Sequence, residues 1–463
     1  MRRSPGPAHT RYNAPCLVRT LHAAPDREEG VLSSTPLSFL CLPEPGDKTI
    51  ATYYQRVRAI ALKQLLTFPV AQLEARNRRV VNEARRVIAG ILTSHKALVM
   101  EAMSNIDVYT PLLILDVGPE LAGESADDLL FAAFGALFPI LGHLAPKGMV
   151  PETILWDLPV KHVPDSTAHR VLYFEPEAKG MLVDPMGMEV RLADDTPVRL
   201  KPMDPHLESQ PGLRVDHPFH RLSPDLPRLQ FSLYDSNPLS MFEMHPDKDG
   251  NQITLSGLPV ERWLSAYREA LEIIRITLPG WYDELKWSMK RLVPVGYLPE
   301  RHLSASYREA PGLAYLTLCD NPLTIAEAIV HETQHSKVNL LSWLDPVVHN
   351  GMTCWTQSPV RPDLRPLWGV LLAVHAFVPV AAMHDRLAEM NHPVTQTERF
   401  PRRRAEVIAG NHRGMVAVVE NADPSPTGKR MIDEMFALHE WLRLKCPPAP
   451  PGMNIDPDIL PPG

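Results

Sequence analysis

The segment PGLAYLTLCDNPLTIAEAIVHETQHSKVNLL, Pro311 to Leu341, decides how the chain is read. Its opening PGLAYLTL is uncharged and rich in aliphatic and aromatic residues, so it reads as a strand, closed by the turn residues Asp320, Asn321 and Pro322. The remainder has helical spacing. Thr324 and Glu327 stand in the T-x-x-E order of a capping box at its start. About two turns further in comes His331-Glu332-Thr333-Gln334-His335, an HExxH. Histidines at i and i+4 share one helix face, so both imidazoles can reach a single cation. Glu332 points close to the same side and can act on a metal-bound water or substrate without being a ligand.

Five residues make a short pattern, and an exposed pair of histidines is the plain alternative. A strand, a tight turn and an HExxH helix in succession are the zincin arrangement, which favours a mononuclear metal site. The third ligand sets the class. A metzincin carries Gly three residues and His six residues beyond the second His; here Val338 and Leu341 stand there, which excludes that class. A gluzincin takes a Glu from a following helix, but no Glu occurs between Ser336 and Ala388. The donors left are Asp345, His349, Asp363, His375, His384 and Asp385. His375 lies in WGVLLAVHAFVPVAAM, a helix apolar almost all round and therefore buried. An unpaired buried imidazole costs about 1–3 kcal/mol, so His375 is the expected third ligand, a core histidine bonded to a carbonyl being the alternative. His384 falls about 180° round that helix from His375, where polar residues resume, and is expected at the surface. His349 and Asp363 lie in loops as reserves; Asp363 would give the two-His, one-carboxylate set of non-haem iron.

The rest of the 463 residues sets the frame. Forty-seven Lys and Arg against 54 Asp and Glu give a net charge of −7, which argues against a general electrostatic grip on nucleic acid or anionic lipid. The run Arg402 to Arg404 reads as a solvated helix end. Five scattered cysteines without a CxxC suit a reducing cytosol rather than a disulfide framework. No secretory signal is visible, and the apolar stretch from Trp368 to Met383 is too short for a bilayer span. The expected fold is mainly α with a minor β part (α+β). Residues 1–47 form an irregular lead. Residues 48–215 hold two or three helices over Thr49 to Met103, a helix after Asp127 kinked at Pro139, and short strands over 153–200. Residues 216–445 form the metal-site domain, and 446–463 a Pro-rich tail. Residues 201–227 read as a connector, Pro259 to Leu278 as an amphipathic helix, and Trp281 to Leu292 as another.

The stretch SASYREAPGLAYLTLCDNPLTIAEAIVHETQHSKVNLL (304–341), with SPVRPDLRPLWGVLLAVHAFVPVA (358–381), resembles the α-ketoglutarate HExxH-type peptide β-hydroxylases encoded with ribosomally made peptides. The resemblance is most specific from Ser304 to Ala382 and continues more faintly upstream through HRLSPDL. It implies an oxidoreductase that uses Fe(II), 2-oxoglutarate and O₂ to hydroxylate a side-chain β-carbon in a precursor peptide, and the cysteine usage adds a cytoplasmic location. His331 and His335 would hold iron, and His375 matches the family's HAF position. A cation must then fix the distal carboxylate of 2-oxoglutarate. Arg suits that task, and Arg308, Arg361 and Arg365 lie inside the matching stretch; ordinary surface ion pairs are their alternative. The strand from Pro311 to Leu318 is expected to offer an unpaired edge for the peptide, with Ser304 and Ser306 nearby. Two rivals stand beside this reading. One is a zinc metallopeptidase with Glu332 as general base. The other is a non-enzymatic peptide-binding protein with a structural metal.

Overall fold

A computed structural model describes residues 38, 40–71, 73–116, 134–165, 169–200, 207–241, 250–357 and 363–460. The chain divides after Pro36, and every element below belongs to the unit that begins at Leu37. Helical spacing in the first part becomes α1 (Thr49–Thr67), α2 (Ala75–Ser94), α3 (Lys96–Ala102), α4 (Ile106–Leu113) and α5 (Leu137–Leu144). α1 buries Ile50, Tyr54, Val57, Ala61 and Leu65, one stripe at three- and four-residue steps. Pro139 follows a turn at Gly135 and Ala136 that separates helical Phe134 from α5. It falls in the first turn of α5, where no intrahelical donor is required. Residues 117–133, where that helix was expected to begin, lie outside the described residues.

The small β region forms two antiparallel sheets. One has the order β1 (Ile154–Trp156), β4 (Gly180–Asp184), β5 (Gly187–Arg191), β6 (Pro197–Leu200). The other has the order β2 (Val160–Asp165), β3 (Arg170–Ala178), β7 (Leu213–Asp216). The expected connector over 201–227 therefore contains structure, since β7 and β8 (Phe219–Arg221) fall inside it. Its prolines flank these short strands rather than interrupt them.

The sheet that positions the motif has five strands. Its order is β11 (Ser304–Ala305), β12 (Leu313–Leu318), β10 (Arg291–Tyr297), β9 (Gln230–Ser232), β8. β10 runs parallel to both β12 and β9, and the outer strands β11 and β8 are antiparallel to their neighbours. All six residues of β12 are buried, as a central parallel strand requires. β12 is thus no open edge; β11 covers it through Ser304 opposite Leu316 and Ala305 opposite Tyr315. α6 (Val260–Thr277) and α7 (Pro279–Ser288) precede β10. The helix expected to reach Leu292 stops at Ser288, because the apolar, β-branched run Leu292-Val293-Pro294-Val295 enters the sheet.

After β12 come α8 (Pro322–Ser342), the hairpin β13 (Trp355–Gln357) and β14 (Leu364–Pro366), then α9 (Leu367–Glu389), α10 (Arg399–Asn421) and α11 (Pro426–Lys445). These are eleven α-helices with small sheets among the described residues: an α+β fold dominated by helix. α9 runs to Glu389, longer than its sequence suggested, and has the length and mean hydropathy (1.7) of a membrane span, yet 72% of that window is buried inside the protein. It is a core helix. Cys41, Cys319, Cys354 and Cys446 are all free thiols.

A buried ion pair joins the two halves of the chain. Arg291 on β10 grips Asp107 on α4 through two bonds of 2.5 and 2.7 Å, with both side chains at most 2% exposed. The guanidinium also lies over the Phe219 ring at 4.5 Å. Removing one partner would strand the other charge away from water. Asp107→Ala is therefore expected to lower unfolding free energy by about 3–5 kcal/mol, read from a shift in the urea midpoint.

Candidate metal centre

α8 begins at Pro322, which suits the first helical position because that N–H needs no partner. Asn321 caps it, its side-chain oxygen accepting from the amides of Leu323 (3.0 Å) and Thr324 (3.4 Å). The expected Thr324–Glu327 capping box does not form. Glu327 instead accepts from His384 Nε2 at 2.8 Å and from Arg403 Nε and Nη2 at 2.9 and 2.6 Å.

One turn beyond Glu327, the helix brings His331, Glu332 and His335 together, with one donor atom from each inside 4.8 Å of the others. His331 Nε2 is 3.9 Å from Glu332 Oε1, and His335 Nδ1 is 3.7 Å from Glu332 Oε2. The two imidazole centroids are 4.2 Å apart. Each imidazole is about a fifth exposed, whereas Glu332 is 2% exposed, so the rings face an opening and the carboxylate sits behind them. Phe377 of α9 packs 4.8 Å from the His331 ring, and the Arg403 guanidinium lies 5.6 Å over Phe377.

The electrostatics favour neutral rings. Burial holds the His331 pKa well below the usual imidazole range, reinforced by His335, His302 and Arg403. Burial also lowers His335, opposed by Glu332 and the Leu372 carbonyl of α9. A divalent ion needs unprotonated imidazole, and metal binding would remedy a specific deficiency here. His331 Nδ1, His335 Nε2 and Glu332 Oε2 are buried without a hydrogen-bond partner. The residues present therefore fit a metal ion.

The other expected site residues are spread around this cluster. His375 is fully buried and neither ring nitrogen has a hydrogen-bond partner, yet it stands outside the group of donor atoms that converge. Its carbonyl accepts from Gln334 at 3.3 Å, and burial, Lys337 and His335 keep its ring neutral. His384 is not at the surface: it is fully buried and bonded to Glu327, because α10 covers the polar end of α9. Asp385 there pairs with Arg404 (2.7 Å) and Lys445 (2.6 Å). Of the expected solvated helix end, Arg402 is exposed, Arg403 is partly buried against Glu327, and Arg404 is an interior ion-pair partner. Asp345 accepts from Ser425 Oγ and the Val347 amide, and the His349 amide donates to the Asp423 carbonyl. Asp363 pairs with Arg365 at 3.1 Å across exposed surface. Arg308 stacks on Trp343 at 4.0 Å and donates to Ser342 Oγ at 3.3 Å. Arg361 lies outside the described residues.

Two residues near the centre had no sequence signal strong enough to single them out. Arg403 was hidden in a charge run. His302, in the loop before β11, acts electrostatically on His331, and its Nδ1 is 3.3 Å from Thr317 Oγ1. No protein-family model matches the chain, and no curated protein matches it.

His331→Ala or His335→Ala is expected to remove one bound equivalent of divalent metal, counted by elemental analysis after desalting. The neighbouring Glu327 predicts a pH effect. His384 and Arg403 outweigh burial and hold its carboxyl at about 2, below the ordinary 4.5. Its depressed value contributes stability above pH 4.5 that is lost as pH falls towards 2. Glu327→Gln should flatten the acid limb of a stability-against-pH curve in that window, lowering stability near neutrality by up to roughly 3 kcal/mol.

Proposed function

We propose that the chain is a metal-dependent enzyme acting on peptides, and that its reaction is hydroxylation of a side-chain β-carbon in a ribosomally made precursor peptide. The observation that carries the metal half of this reading is the convergence of one donor atom each from His331, Glu332 and His335 within 4.8 Å, with both imidazoles partly exposed. The resemblance of Ser304 to Ala382 to the peptide β-hydroxylases supports the reaction class. Fe(II), when bound, supplies reductive activation of O₂ coupled to conversion of 2-oxoglutarate to succinate and CO₂.

The chain's own groups have separable tasks under this reading. His331 and His335 hold the ion, and Phe377 screens one side of His331 from water. Glu332 keeps a carboxylate between the two imidazoles, placed to accept or return a proton. The distal carboxylate of 2-oxoglutarate calls for an arginine. Arg365 is the more readily released candidate, because its pair with Asp363 is exposed and such pairs contribute about 0–1 kcal/mol. Arg308 would have to leave its stack on Trp343. The peptide would add as a strand beside β11, the edge of the five-stranded sheet.

One observation favours a second reading, zinc-dependent peptide hydrolysis. Glu332 is buried 3.7–3.9 Å from both imidazoles, a position suited to a general base for a metal-bound water. Anaerobic loading with Fe(II), followed by O₂, 2-oxoglutarate and a peptide library, separates the two. The hydroxylase reading expects succinate that disappears in His331→Ala, and a peptide product heavier by one oxygen. Cleaved peptides from zinc-loaded protein, with no succinate above the His331→Ala background, would replace it by the hydrolase. Glu332→Gln should abolish hydrolysis with zinc retained, whereas the hydroxylase keeps some uncoupled succinate.

A further inference from the structure

A second set of metal donors lies between α10 and α11, independent of the HExxH centre and of any reading of its reaction. His412 projects from α10, and His439 and Glu440 from α11. His412 Nδ1 is 3.4 Å from His439 Nε2, His412 Nδ1 is 3.6 Å from Glu440 Oε1, and His439 Nε2 is 3.8 Å from that same oxygen. Three donor atoms at those separations have a point about 2.1 Å from all of them, which is the length of a zinc–imidazole or zinc–carboxylate bond. The edge of a tetrahedron built on such bonds is about 3.4 Å, so the triangle already has the size of one coordination face.

The chemistry around the triangle agrees with its geometry. His439 is fully buried, and burial holds its pKa down at about 3, so its ring is neutral at pH 7. Glu440 stays ionised, with His412 and Arg443 outweighing burial to bring its carboxyl to about 2. The set therefore offers two imidazoles and one carboxylate, donors that suit a borderline divalent cation. Arg443 orients the carboxylate: its Nε lies 3.0 and 3.1 Å from Glu440 Oε1 and Oε2, and its Nη2 lies 2.8 Å from Oε2. This is the outer support that metal-binding carboxylates use. The same guanidinium donates to the carbonyls of Asp458 and Ile459, tying the final segment to the cluster. His412 and Glu440 each keep about a quarter of their side-chain surface exposed, leaving an approach for the ion and for a water as fourth ligand.

Without an ion, the triangle is hard to justify. A proton shared between the two rings would span 3.4 Å, long for a hydrogen bond. We propose that His412, His439 and Glu440 form a structural site for a divalent transition metal, zinc being the best fit, which clips α10 to α11. The clip bears on the HExxH centre through its neighbour, since Asn411 donates to the Phe377 carbonyl at 3.0 Å and Phe377 packs on His331.

The test uses full-length protein carrying His331→Ala and His335→Ala, so that the HExxH centre cannot hold metal. Zn(II) is titrated against a competing chromophoric chelator, and Co(II) is added separately to report a tetrahedral site by its visible absorption. One equivalent of Zn(II) should remain, should raise the unfolding midpoint, and should weaken at least 100-fold when His412→Ala is added. His412 is partly exposed, which makes this the variant best able to fold; Glu440→Gln is the second, with far-ultraviolet circular dichroism as the check on both. No zinc in the double variant, or zinc undiminished by His412→Ala and Glu440→Gln, overturns the site.

Discussion

α8 has almost no free face, and its back side is held by polar contacts that fix which way the side carrying His331 and His335 looks. Lys337 donates to Glu284 of α7 at 2.5 Å, both side chains being at most 2% exposed. Trp281 Nε1 donates to Gln334 Oε1 at 2.9 Å, and the Gln334 amide reaches the carbonyls of Leu40 and His375. Ser336 accepts from the Gly312 amide at 2.7 Å. A buried ion pair gains little net stability over a hydrophobic substitute, because desolvation consumes the attraction. What the Lys337–Glu284 pair supplies is orientation. A rotation of α8 that carried His331 and His335 off the opening would leave a charge and an amide buried without partners.

That constraint explains the first part of the chain, whose purpose sequence could not supply. Its helices reach the strand and helix that carry the centre. Tyr109 on α4 donates to the Pro311 carbonyl at 2.8 Å, and Tyr54 on α1 donates to the Ser288 carbonyl at 3.0 Å. Gly312 lies between these two phenols. Its φ is +92°, and a Cβ there would stand 2.7 Å from the Tyr54 hydroxyl, so no other residue fits where β12 begins. With Arg291 locked on Asp107, these contacts make the early helices a bracket behind α8.

The motif was legible because helical geometry is local. Residues at i and i+4 share a face whatever the rest of the chain does, and the strand, turn and helix around them obey short-range rules. The partners of Glu327, by contrast, lie 57 and 76 residues away, on His384 and Arg403. The T-x-x-E spacing was present but lost to that pairing, a buried charge-assisted contact being stronger than a cap. The same distance hid the arginine run, which looks solvated until α9 and α10 meet. It also hid the fate of His375: apolar neighbours correctly implied burial, but burial says nothing about which way a ring points. The small sheets were read from short runs divided by Gly, Pro and Asp; β7 and β8 were missed where prolines imitate a linker, and β10 where a helix was expected to reach Leu292.

The four C-terminal helices carry an unusual load of neutral buried histidine beside strongly acidic carboxyls, and both bear on stability in the same direction. His331 and His375 lie well below the ordinary imidazole value, and His439 lies at about 3. The unfolded chain takes up protons on these rings first, as pH falls below about 6.5, which favours unfolding. Glu327 and Glu440, both at about 2, then add the same bias below 4.5. No group of opposite sign among them compensates, so acid weakens this layer continuously rather than at one threshold. A divalent ion on neutral imidazole opposes that drift, since it binds the folded, unprotonated rings and must be displaced before they charge. Of the histidines that make the helical layer acid-sensitive, His331 and His439 are thus the ones through which a metal would stabilise it, whereas His375 stands outside both donor groups.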